Sequence, residues 1–296
     1  MNMPGRQAHQ SEVQVFLQAT FGGGAWQLSL PHGWGGETYF AQRGEKAYFI
    51  KLGVHIARYQ AMASLGLTPP VLASGGLPDG VPLIVQPRIA GREPDRRDYR
   101  DGLDQVAATI HRTHTSPELQ QVLPPAPSPL YREVGFEVLA DIRQRWARCR
   151  ALVPDVAGFV DDSLQALAGQ VAAFEGAGLV AAHNDICNAN WLLTDEGRWY
   201  LIDLEAMALG DPALDIGATL WWYYPPDLWP RFLELTGHAD DAAFAWRMRV
   251  RMALHCLHIL LPRPGSFDRF DPRAFTHRLV DFRAALHGAP NPQMNT

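Results

Sequence analysis

His183-Asn184-Asp185-Ile186-Cys187-Asn188-Ala189-Asn190, followed thirteen positions later by Asp203-Leu204-Glu205, is the stretch on which the reading of the chain turns. Between the two pieces lie Trp191 to Leu193 and Trp199 to Leu204, short apolar runs around Thr194-Asp195-Glu196-Gly197-Arg198, which predict a strand, a tight turn and a second strand. A carboxylate at Asp185 and an amide at Asn190, five positions apart, can be turned by a loop into one pocket, and Asp203 returns to it at the end of the hairpin. Three oxygen donors gathered this way suit a hard divalent cation such as Mg2+, which takes a few carboxylate or amide oxygens and leaves positions for water and phosphate. Phosphoryl transfer asks little more of a protein than such a cation, a lid over the phosphates and a carboxylate to accept the hydroxyl proton. Asp185 fits that last role.

Outward from this stretch the chain divides in character. Upstream, Trp26 to Leu30, Thr38 to Gln42, Ala47 to Leu52, Val71 to Ser74 and Val81 to Gln86 read as strands, with one helix at His55 to Leu65 stopped by Gly66. Beyond Pro87 the apolar spacing is mostly helical: Tyr99 to His114, Phe136 to Leu152, Val160 to Phe174, Leu228 to Leu235, Ala242 to Leu261 and Arg273 to Leu286. The expectation is an α+β protein with a β-rich unit over residues 1–87 and a larger helical unit over 88–296. The glycines at 33, 35 and 36 lie between two strands, where backbone N–H groups can approach phosphate oxygens. Lys51 ends the strand that follows them. Asp211-Pro212 has the form of a helix N-cap followed by proline at the first helical position.

The pattern His183-x-Asp185-x-x-x-x-Asn190, Ile202-Asp203-x-Glu205 and Gly210-Asp211-Pro212-x-x-Asp215 resembles the aminoglycoside phosphotransferase and choline kinase superfamily, relatives of the protein kinases. The His-Asn-Asp opening and the Asp-x-Glu are similar to the choline and ethanolamine kinase branch. The resemblance implies a bilobal kinase-like fold and transfer of the γ-phosphoryl of ATP to an alcohol. It implies Asp185 as catalytic base, His183 as organiser of its loop, Asn190 and Asp203 as Mg2+ ligands, and Glu205 as a further metal or substrate contact. It also implies Lys51 on the α/β-phosphates, Gly35 and Gly36 over them, and backbone from Val85 to Ile89 facing adenine. Asp211 and Asp215 would brace the catalytic loop. The family usually pairs its lysine with a glutamate on the next helix; His55 to Leu65 has none, leaving His55 or Gln60 at that position. A long protein-kinase activation loop has no room between Glu205 and Gly210.

Trp191, Trp221, Trp222 and Tyr224 sit near the catalytic stretch in sequence and could present ring faces to an ammonium group, predicting a cationic alcohol as acceptor. Core packing is the plainer reading of the same residues. Arg143, Arg145, Arg148 and Arg150 read as a solvated helix face. The 26 basic against 31 acidic residues leave a formal charge of −5, which excludes a strongly basic nucleic-acid binder. No apolar run is long enough for a bilayer and the first residues lack a signal-like apolar core, so a cytoplasmic protein without a membrane partner is expected. Three widely spaced cysteines, Cys149, Cys187 and Cys256, argue against disulfides or a zinc site and read as small buried residues.

Overall fold

The computed structural model describes residues 9–31 and 37–295. The chain opens with helix α1 (Gln10–Phe21), strands β1 (Gln27–Ser29), β2 (Thr38–Arg43) and β3 (Lys46–Leu52), helix α2 (Ile56–Ser64), and strands β4 (Ala73–Gly76), β5 (Pro82–Pro87) and β6 (Gly91–Arg92). Helices α3 (Arg96–Asp101), α4 (Leu103–Thr115), α5 (Pro117–Val122), α6 (Tyr131–Cys149) and α7 (Pro154–Ala172) follow. Four short strands, β7 (Val180–Ala182), β8 (Trp191–Thr194), β9 (Trp199–Leu201) and β10 (Ala208–Gly210), precede α8 (Pro212–Tyr223), α9 (Trp229–Leu235), α10 (Ala242–Leu260) and α11 (Pro272–Leu286).

These elements form two compact units. The first holds the described residues through Pro94 together with Pro117–Leu123 and Asn188–Ala206; the second holds Asp95–Ser116, Pro124–Cys187 and the chain from Met207 onward. Strands dominate the first and helices the second, the α+β arrangement expected. The single cut at residue 87 is corrected, because the β8–β9 hairpin packs with the first unit. β8 pairs with β6 through Gly91↔Thr194 and Arg92↔Leu193, and the Leu201 N–H donates to the Leu67 carbonyl at 2.8 Å. Backbone groups of so short a hairpin need partners, and the first unit supplies them.

The first unit is built on an antiparallel sheet of order β1-β2-β3-β5-β4. β5 is hydrogen-bonded on both edges, and Leu83, Ile84, Val85 and Gln86 are all buried rather than alternating, with Leu83 and Val85 in the core that α1 joins and α2 packed against the strand. Val13 and Leu17 of α1 join Ile50, Leu52, Leu83 and Val85 in one core, each such side chain contributing about 1.5–3 kcal/mol by burial. α2 ends at Gly66, whose φ of 68° only glycine adopts without cost; the Leu67 N–H then closes on Met62 O at 3.0 Å.

In the second unit, α6, α7, α8, α10 and α11 share a core that includes Trp146, Leu167, Trp221, Leu257 and Phe282. The buried Cys149 and Cys256 belong to it and Cys187 is half-buried, all three as free thiols. α8 begins as its Asp-Pro pair indicates: Asp211 caps it by accepting from the Ala213 N–H at 3.0 Å. α8 and α10 approach closely at Gly217, where a Cβ would stand 2.8 Å from Met248 Cγ. Among the described residues no helix is long and apolar enough to cross a membrane.

Candidate active site

The first unit gathers Lys51, Asn190, Asp203 and Glu205. Lys51 leaves the buried end of β3, and its Nζ donates to Asp203 Oδ1 and Glu205 Oε2, both at 2.6 Å. Burial works against the ammonium, yet Glu205 and Asp203 outweigh it and hold the Lys51 pKa above its ordinary value. Glu205 moves up as well, first through burial and then through the neighbouring Asp203 carboxylate, with Lys51 acting in the opposite direction. Asp203 itself sits at φ 59°, a left-handed backbone that a non-glycine residue holds only where its surroundings enforce it.

α2 supports this pair without a glutamate. Neither residue expected at that position serves: His55 precedes the helix and is exposed, and Gln60 faces outward to donate to Ser74 Oγ at 3.2 Å. Tyr59 does the work instead. Its hydroxyl donates to Glu205 Oε1 at 3.0 Å and accepts from the Leu204 N–H at 3.3 Å, while its ring lies 5.8 Å from Lys51 Nζ. Arg58 Nη1 holds the same short turn by donating to the carbonyls of Leu204 and Glu205 at 2.7 and 3.0 Å. The lysine's partner is thus delivered by the Asp-x-Glu segment, with the helix fixing it.

A cavity of about 920 Å³ opens in the same unit, with Lys51, Asn190 and Asp203 on its polar side and Phe49, Ile89, Leu192 and Ile202 among its apolar walls. That size and that mixture suit a nucleotide. Ile89 is on the wall. Val85 is not: its side chain is in the core and its carbonyl accepts from Leu72 N–H at 2.8 Å, so both faces of this central strand are spent on structure. Gly35 and Gly36 lie outside the described residues. Asn190 is buried at the end of a single helical turn, Asn188–Asn190, and its carbonyl accepts from the Ile202 N–H at 2.9 Å, which ties the loop to the strand bearing Asp203. No group of three or more His, Cys, Asp or Glu side chains is assembled for a metal among the described residues. Asn190 and Asp203 on one cavity wall are nevertheless what Mg2+ takes from a protein when phosphate and water complete its shell.

His183 and Asp185 belong to the second unit. The loop carrying them is pinned by Asp215, fully buried on α8. Its carboxylate accepts from the His183 N–H at 2.7 Å, the Asn184 N–H at 2.8 Å and His114 Nε2 at 2.9 Å. Burial alone would raise the Asp215 pKa; these donors outweigh it and hold the carboxyl below its usual range. Asn184 adopts φ 63°, turning the chain just before Asp185. Asp211, besides capping α8, accepts from Arg247 Nε at 3.0 and 3.1 Å. Asp215 thus braces the loop that carries Asp185, whereas the bonds of Asp211 cap α8 and hold Arg247 rather than that loop.

Asp185 is half-buried on a second, smaller cavity of about 200 Å³ that it shares with Arg145, Arg251, Arg263, His255 and His258. The aromatic residues expected there are elsewhere. Trp221 and Tyr224 are buried, Trp222 packs on the helical core, and Trp191 is buried in the first unit, edge-on to Trp199. None lines the Asp185 cavity. Arg145 is also corrected: it is 3% exposed, not on a solvated face, and pairs with Asp141 at 2.6 Å. The sequence does carry a sign of this cavity, since Arg251, His255 and His258 repeat at helical spacing along α10.

Comparison with known proteins agrees with this geometry. Residues 26–253 match the family model described as phosphotransferase enzyme family, APH, and the chain belongs to that family. Among solved structures, the fold is similar to choline kinase LicA from Streptococcus pneumoniae, at 15% identity over 94% of this chain and 99% of that one, with a TM-score of 0.63. LicA is also solved in complex with AMP. A choline/ethanolamine kinase family protein from Mesorhizobium loti matches at 18% identity, 97% and 96% coverage and a TM-score of 0.65. The GDP and kanamycin complex of APH(2")-IIIa matches at 12% identity, 95% and 99% coverage and a TM-score of 0.67. The protein is therefore a phosphotransferase with the kinase-like α+β fold.

Proposed function

We propose that the protein transfers the γ-phosphoryl group of ATP, with Mg2+, to a hydroxyl of a small molecule. The observation that carries this reading is the Lys51 cluster: a buried ammonium at 2.6 Å from both carboxylates of the Asp-x-Glu segment, on a nucleotide-sized cavity that also presents Asn190. Lys51 would hold phosphate oxygens, and Asn190 and Asp203 are the residues that would hold Mg2+, with Glu205 beside them. The cation, when bound, supplies neutralisation of phosphate charge. Asp185 would accept the proton of the acceptor hydroxyl as the new O–P bond forms and the bond from the γ-phosphorus to the ADP oxygen breaks. His183, fully buried, keeps the loop in place through its backbone bond to Asp215.

An amino alcohol or aminoglycoside as acceptor draws its support from similar proteins, a choline kinase and a phosphotransferase seen with kanamycin. The ring faces that would have embraced an ammonium are buried, so the cavity itself adds nothing to a cationic acceptor. A non-catalytic nucleotide-binding module is the alternative that the missing helix glutamate would suggest; the contacts of Tyr59 and Lys51 with Glu205 argue against it. A reaction that spends ATP fits a cytoplasmic protein with no nucleic-acid or membrane partner.

The test is Mg2+-dependent ATP consumption across hydroxyl acceptors, wild type against Asp185→Ala. Loss of a general base is expected to lower turnover by about 10²–10⁴-fold, with ATP binding by calorimetry unchanged. Equal turnover in the two proteins would refute the assigned base.

A further inference from the structure

The geometry points to an acceptor that carries an acid group, a carboxylate or phosphate, held by Arg251 and Arg263 while Asp185 addresses its hydroxyl. This rests on the phosphotransferase reading and names the substrate class of the same site. Arg251 is 3% exposed on the cavity that Asp185 lines, and its Nε and Nη1 have no hydrogen-bond partner. The nearest carboxylate, Asp211, lies 4.0 Å from Nε and already accepts two bonds from Arg247 and one from Ala213. Arg145, also on the cavity, differs in having a close counter-charge, Asp141 at 2.6 Å, and a bond from Nη1 to the Leu261 carbonyl at 3.3 Å, although its Nε is likewise without a hydrogen-bond partner. Arg263 stands exposed on the same cavity.

A buried guanidinium with idle donors is among the least favourable groups a fold can keep, and its planar fork matches a carboxylate or phosphate in two parallel bonds. The histidines do not add to the charge near neutrality: burial first, then neighbouring cations, push His255 and His258 down to about 4. The charged residues lining the cavity are thus Arg145, Arg251 and Arg263 against Asp185, with Asp141 paired to Arg145 beside it. An ammonium acceptor would enter against that field, whereas an acid completes it. At about 200 Å³ the space falls below the 300–1,000 Å³ typical of drug-sized ligands, which favours an acceptor of few heavy atoms.

Matched acceptors test the assignment: D-glycerate against glycerol, homoserine against homoserinol, and glycerol 3-phosphate, with choline and ethanolamine as cationic controls. Calorimetric binding and turnover are measured for wild type, Arg263→Gln and Arg251→Gln. An acid is expected to bind at least tenfold more tightly than its neutral or cationic partner. Arg263→Gln, a surface change that leaves the core intact, is expected to raise the acceptor Kd and KM about tenfold, the size of one charge-assisted bond, without moving the KM for ATP. Arg251→Gln should do more, and its folding is checked by circular dichroism. Preference for the cationic alcohols, or acid binding indifferent to both arginines, overturns the assignment. So does a rise in the ATP KM instead of the acceptor KM, which would give these arginines to the nucleotide's phosphates. Acid binding that depends on the arginines, with no turnover of any acceptor, would sink the phosphotransferase reading and leave the anion site standing.

Discussion

Lys51 in the first unit and Arg251 in the second are both buried cations, and the protein treats them in opposite ways. Lys51 is met by two carboxylates at 2.6 Å, each about two-fifths exposed, so its charge is settled before anything binds. Arg251 has two nitrogens without partners and a nearest carboxylate at 4.0 Å that Arg247 already holds. An ammonium carries three N–H donors, so Lys51 keeps one to offer an incoming anion without giving up either carboxylate. An unsatisfied cation costs stability and gains it back only when an anion fills the gap.

Asp203→Asn strikes the satisfied side hardest. Removing this charge leaves Lys51 with Glu205 alone and takes away the proposed Mg2+ carboxylate, so kcat/KM is expected to fall by about 10²–10³-fold, the usual scale for one charge-stabilising group. A steady-state assay with a titration of Mg2+ checks it, and near wild-type activity would undo the Lys51 half of the contrast. The next effect is on stability. Arg251→Met replaces an unpaired buried charge by an apolar chain of similar length and is expected to stabilise the ligand-free protein by about 1–4 kcal/mol in urea unfolding. Lys51→Met should not stabilise the protein in this way, since the wild-type ammonium is already met by two carboxylates at 2.6 Å. If both substitutions destabilise equally, the two cations are not different in kind. The smallest expected change comes from Tyr59→Phe. Losing a hydroxyl that both donates to Glu205 and accepts from the Leu204 N–H should cost about 1 kcal/mol and raise the ATP KM a few-fold, read from thermal unfolding and initial rates.

Much of this was legible in the chain. The β2–β3 hairpin, α2 with its Gly66 stop, the β8–β9 hairpin and the long amphipathic helices follow directly from apolar spacing and turn residues. α8 escaped that reading although its Asp-Pro cap was plain, because eight consecutive positions from Asp215 back and forward are nearly all buried and no polar face marks the period. α1 escaped too, with only Val13 and Leu17 buried to signal it. Within the site, the oxygen-bearing residues stood out as a motif. The support for Lys51 did not, since a search for a charged helix partner passes over a tyrosine hydroxyl that acts through a third residue. The aromatic run after Asp215 misled for a related reason: composition tells that rings are present, and only packing tells whether a face is free. Arg145 and Arg251 were hidden because arginine on a helix ordinarily means solvent.

At Gly217 one absent methyl group brings α8 to within a side chain's reach of Met248 on α10. α8 carries Asp215, which anchors the loop bearing Asp185, and α10 carries Arg251. The spacing between the loop of Asp185 and the Arg251 guanidinium is therefore gauged by a glycine that lines neither side of their cavity, a shim between two helices.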